Sequence, residues 1–251
     1  MCGRIALHSE PDYLARVFDA VLGPDVDPDA RPSWNVPPTR SILAIADVSA
    51  PGGPGGHDGG VTTMQRQLGR YRWGLVPPWA KDPSMANRTF NARAETVASK
   101  PSFRAAFAAR RLFVVADGFY EWKPGPGKTR EPYYFTRADG QPLALAGLWE
   151  QWWGVPRVSD PPEVERPVLR SCTVITTDAG PDMGDIHHRM PVVLDPAVLD
   201  EWLDPGNRDG PELESLLVPA PEGTLVHHHV ARTVGNVRND GPELIESLPS
   251  G

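Results

Sequence analysis

The run RLFVVADGFYEWK (residues 111–123) is followed closely by EPYYFTR (131–137) and PLALAGLWE (142–150), all rich in β-branched and aromatic residues. Runs of this composition and length are strands. Successive strands with no helical segment between them lack the crossovers that a parallel sheet requires, so they pair antiparallel. The rest of the chain agrees. SILAIADV (41–48), MQRQLGRYRWGLV (64–76), RSCTVITTDA (170–179) and GTLVHHHVA (223–231) read as further strands, and CGRIALH (2–8) as a short one. Helical spacing is confined to four short segments: 10–22, where Leu14, Val17, Phe18 and Val21 share a face; 102–111, with Phe103 and Phe107; 195–203; and 210–217. The expected class is α+β, with a curved, mostly antiparallel sheet or open barrel-like core and short flanking helices.

The chain has 251 residues and shows no internal repeat or linker, so it reads as a single domain, 1–251. Its 24 glycines and 29 prolines point to long loops rather than disorder. PGGPGGHDGG (51–60) reads as a flexible loop tip. Residues 76–96 carry neither period, and so long an irregular stretch between regular elements ordinarily builds a site. Cys2 and Cys172 are the two cysteines, and neither belongs to a C-x-x-C pair. With no signal-peptide pattern and no long apolar run, the expectation is a cytoplasmic protein with reduced thiols and no membrane segment. A metal is not expected either: VHHHV (226–230) alternates sides along a strand and lacks cysteine or acidic partners. No cofactor motif is present. The net charge of −7 argues against nucleic acid, but its distribution does not. Residues 62–130 hold 13 Lys and Arg against four acids, an asymmetry expected of a polyanion groove or of a solvated basic face.

Several residues stand out chemically. Removal of Met1 would give Cys2 a free amine two carbons from its thiol. Such a 1,2-aminothiol attacks an aldehyde twice: the amine forms a Schiff base and the thiol closes a five-membered thiazolidine. Otherwise Cys2 is an ordinary small buried residue. In FNARAET (90–96), Asn91, Arg93 and Glu95 alternate, so an extended backbone points an amide, a guanidinium and a carboxylate the same way. In ADGFYEWK (116–123), Glu121 lies between aromatic residues that could raise its pKa and make it a general acid, or it simply faces solvent. In DIHHRMP (185–191), His187 beside Arg189 suits proton transfer next to a phosphate; adjacent histidines on a strand point opposite ways, so one of His187 and His188 at most faces a given site. Trp73 and Trp79, interleaved with Arg and Pro, match either a core or a platform for stacking single-strand bases.

Together, MCGR, NVPPT, RWGLVPPW, NARAET, FRAAF, RRLFVVADGFYEW, AGLWE, TTDA, HHRMPVVL and VGNVRND, in this order and over nearly the whole chain, resemble the SRAP (SOS-response-associated peptidase) family. Departures are mild: the Gly-rich insertion at 51–60 and His188. The resemblance implies covalent attachment to abasic sites in single-stranded DNA, protecting the lesion during the DNA damage response. In that reading Cys2 forms the thiazolidine with the ring-opened sugar, Asn91 polarises it, Glu121 is the general acid, and His187 assists proton transfer and strand cleavage. Arg4, Arg93 and Arg189 hold flanking phosphates, while Trp73, Trp122, Pro38 and Thr39 shape the lesion pocket. It also implies a monomer that joins the nucleoid after damage. Two other functions fit the residues: a cysteine autopeptidase with Cys2 as nucleophile, for which the preceding Met1 is an ordinary aminopeptidase substrate, and a non-covalent single-strand binder that does without Cys2.

Overall fold

The computed structural model describes residues 2–49, 64–154 and 168–249; the loop expected at 51–60 lies outside them. Among the described residues the strands are β1 (Ile5–Leu7), β2 (Val21–Leu22), β3 (Ser33–Val36), β4 (Ser41–Ser49), β5 (Met64–Trp73), β6 (Asn91–Arg93), β7 (Arg111–Ala116), β8 (Gly118–Pro124), β9 (Arg130–Arg137), β10 (Leu143–Trp152), β11 (Leu169–Asp178), β12 (Arg189–Pro191) and β13 (Leu225–His229). They form two sheets. The larger runs β12–β11–β10–β7–β4–β5–β2, with β6 beside β11; the smaller runs β13–β9–β8–β1–β3. Most pairings are antiparallel, the exceptions being β2 with β5, and β11 with β5 and β6. The larger sheet curls until Ser171–Cys172 of β11 meets Arg72–Trp73 of β5, a two-residue contact that leaves it an open, barrel-like sheet.

The run 111–123 does not form one strand. Its first half, β7, lies at the centre of the larger sheet between β10 and β4, and its second half, β8, crosses to the smaller sheet between β9 and β1. Asp117 makes the break. Its carboxylate accepts the backbone N–H of His8 (2.6 Å) and Ser9 (2.9 Å) and the Ser9 hydroxyl, tying the end of β1 to the switch between sheets. Gly118 follows because any Cβ there would overlap the Tyr134 ring of β9.

β7 is buried on both faces, which explains its unbroken apolar sequence. Phe113 and Val115 join the core beneath the helices with Leu14, Ile45, Leu148 and Trp202. Leu112, Val114 and Ala116 join a second core with Ile5, Ile42, Trp73 and both cysteines. The helices are short. The first spans Pro11–Val17, with Pro11 in its first turn and Arg16 near its last carbonyls. The spacing predicts helix to residue 22, but Asp19 adopts a left-handed backbone (φ 50°) and Val21–Leu22 pair with β5 instead.

Candidate active site

The N-terminal segment is laid against Glu121 by strand register. Ile5 opposes Phe119, Ala6 opposes Gly118, and the Tyr120 N–H donates to the Arg4 carbonyl (3.0 Å), so residues 2–4 run along Tyr120–Trp122. Cys2 is fully buried. From the other side, β6 pairs in parallel with β11, placing Asn91 opposite Val174. The Asn91 amide donates to the Cys2 carbonyl at 2.6 Å, while its Oδ1 is buried without a hydrogen-bond partner among the described residues. β11 also carries β12 at its end, pairing Asp178 with Arg189. One strand therefore spaces Asn91 from the segment that bears His187.

Burial dominates the electrostatics. Glu121 is 2% exposed, and burial pushes its carboxyl up to about 7, against the opposing pull of the positive amino terminus and the Trp122 N–H. Burial, reinforced by the neighbouring Glu121 carboxylate, pushes the Cys2 thiol far above its usual value. The resting thiol is therefore protonated, and a carboxyl poised near neutrality stands next to it. His187 is half-buried; its Nδ1 lies 3.0 Å from the Arg189 N–H and 3.1 Å from the Arg189 carbonyl, accepting from the one or donating to the other according to the ring's tautomer. Burial also lowers its pKa.

His187 and Trp122 share an open cleft of about 430 Å³ with Pro124, Arg130, Asp185, Ile186 and His188. Both histidines line it, contrary to the expectation that they diverge: they precede β12, and their rings stack at 4.5 Å. The FNARAET alternation also ends early. Ala94–Val97 turns helical, and Glu95 pairs with Arg189 (2.6 Å) instead of joining Asn91.

The expected DNA-contact residues separate into two groups. Arg93 is exposed beside Thr96, Ser99 and Lys100 in a shallow depression, and Trp122 lines the cleft. Thr39 sits in an exposed turn with φ 72°, unusual for a β-branched residue, and its N–H donates to the Trp73 carbonyl; Pro38 precedes it, half-buried. The others are engaged in the fold. Trp73 is fully buried and its indole N–H donates to the Phe90 carbonyl (2.8 Å), so it buttresses β6 and offers no face to a base. Arg189 is held by Glu95, Asp178 (2.7 Å) and the Thr176 carbonyl (2.6 Å). Arg4 donates to Asn35 (2.5 Å) and the Val234 carbonyl (2.7 Å) and lies over the Trp122 ring. Part of the basic excess of residues 62–130 is engaged in the same way. Arg66, Arg110 and Lys123 pair with carboxylates, and buried Arg111 donates to four backbone carbonyls.

Asn35 carries no signal in the sequence beyond its place in NVPPT, yet it organises this region. Its buried amide donates to the carbonyls of Val234, Asn236 and Asn239, strapping the VGNVRND segment across Arg4. Among the described residues, no cluster of three or more His, Cys, Asp or Glu could hold a metal, and no helix is long and apolar enough to cross a membrane.

The fold is a two-sheet α+β arrangement, and the site joins a buried cysteine, an amide that holds its carbonyl and a buried carboxyl. The chain belongs to the SRAP (SOS response associated peptidase) family, whose model matches residues 1–237. It is 39% identical to the abasic site processing protein YoqW of Bacillus subtilis (strain 168), over 98% of this chain and all of that one. It is 33% identical to the abasic site processing protein HMCES of Pongo abelii, over 98% of this chain and 75% of that one. A crystal structure from Bacteroides thetaiotaomicron shares the fold, with a TM-score of 0.79 at 20% identity over 99% of this chain and all of that one.

Proposed function

We propose that this protein captures abasic sites in single-stranded DNA as a thiazolidine on Cys2, after removal of Met1. The observation that carries the reading is the contact of Asn91 with the Cys2 carbonyl, which holds the first residue beside the buried Glu121 carboxyl. In the ring-opened lesion the Cys2 amine adds to the aldehyde carbon. Protonated Glu121 donates to the departing hydroxyl, water leaves, and an imine remains. The Cys2 sulfur then adds to the imine carbon, and the thiol proton ends on the ring nitrogen with Glu121 as relay. One water is released for each crosslink. Neutral His187, on the wall of the cleft, assists these proton movements, and Arg93 receives a flanking phosphate.

The protonated state of the thiol favours this order of events. An amine that attacks first needs no thiolate, whereas a cysteine peptidase depends on a thiol pKa lowered by its surroundings. Burial here acts in the opposite sense. In this reading the partner is lesion-bearing single-stranded DNA, bound by a monomer in the cytoplasm and carried with the nucleoid.

The test is incubation of the processed protein with an oligonucleotide containing one abasic site, followed by a denaturing gel, with intact mass confirming loss of Met1. A retarded band is expected for the wild type and none for Cys2→Ala. An equal band from Cys2→Ala overturns the proposal. Full retention of function by that variant, without any crosslink, favours a non-covalent binder, and cleavage of unrelated peptides that depends on Cys2 favours a peptidase.

A further inference from the structure

His188, stacked on His187, belongs to no step above. The two rings lie 4.5 Å apart and 20° from parallel; His187 is half-buried with Nδ1 against the N–H and carbonyl of Arg189, and His188 is exposed at the cleft rim. Two imidazolium charges at this separation repel, so charge on the one ring opposes charge on the other. The other groups around His187 do not offset this. Arg130 of β9 and the positive amino terminus add repulsion, the Arg189 backbone stabilises the charged ring, and the cleft's carboxylate Asp185 is paired with Lys123 at 2.6 Å. On the adjoining β8, Tyr120 is pushed up by burial and stays neutral, and Glu121 is itself held largely protonated up to neutrality.

We propose that His188 is a positioning residue for the proton of His187: charge on the exposed ring keeps the inner ring neutral at pH values where a solitary imidazole there would be charged. The consequence for catalysis rests on the abasic-site reading above. Neutral His187 is the form that relays protons, so His188 extends the working range of the site toward acid.

The experiment is an NMR titration of the histidine Cε1–H signals of the full processed chain, with the His187 signal identified by its loss in His187→Gln. His188→Asn removes the charge, and His188→Lys makes it permanent. The His187 midpoint is expected to lie highest in His188→Asn and lowest in His188→Lys, with a spread of about half a pH unit or more. Coincident midpoints in all three proteins, or an order unrelated to charge, overturn the proposal. The acid limb of the crosslinking rate is expected to follow the same order. If the wild type forms no crosslink at any pH, the functional reading fails, and the order of midpoints still decides the role of His188.

Discussion

At the scale of single residues, Glu121 couples stability to chemistry. Its carboxyl titrates near 7 in the native state against 4.5 in an unreacted, solvated chain. Between those values the unfolded chain gives up its proton first, so native stability falls as pH rises, by up to about 3 kcal/mol. Glu121→Gln abolishes that loss. Its melting temperature is expected to exceed the wild type's at pH 8 and to match it near pH 4; coincident melting curves at both pH values would refute a buried, raised carboxyl. The same variant loses the acid. Its crosslinking rate is expected to drop by about 10²-fold or more while binding of abasic DNA changes little. Parallel losses in rate and binding would assign Glu121 to recognition instead.

At the scale of elements, the decisive feature is the interruption of 111–123 at Asp117. One carboxylate satisfies two backbone donors and a hydroxyl at the point where the chain leaves one sheet for the other. Asp117→Ala strands those donors, and the expected cost is about 2–4 kcal/mol, read as a lower urea midpoint. Because β1 is held to β8 at this corner, the variant should also crosslink more slowly. A loss of stability with an unaltered rate would show that the corner does not set the position of Cys2. The alternation of the sequence gave no warning of the break, because ADG continues the run without a proline and the competing contact comes from residues more than a hundred positions away.

At the scale of the whole molecule, the charges that remain free set DNA affinity. Of the basic central segment, Arg130 is exposed in the His187 cleft, and Arg93 and Lys100 are exposed together in the depression that follows β6. Three phosphate contacts predict a slope of log K against log salt near −2 for single-stranded DNA, at about 0.7 per contact. Arg93→Ala should reduce its magnitude by about 0.7, whereas Arg111→Lys, which alters a buried carbonyl clamp, should lower stability and leave the slope alone. A slope insensitive to Arg93 would move the groove elsewhere.

Much of this was legible in the sequence. The composition and spacing of the strands dictated an α+β fold with mostly antiparallel sheets, because β-branched and aromatic runs without helical crossovers have few other ways to pair. The ordered motifs identified the family. Tertiary structure decided which of the conspicuous residues are available. Trp73 and Arg189 are spent on burial and ion pairing, Glu95 leaves the face of Asn91 when the backbone turns helical, and His188 joins His187 instead of opposing it. Residue type and local period fix what a side chain can do and which way a regular backbone points it. Only packing between distant segments determines whether water, a carbonyl or a substrate reaches it first.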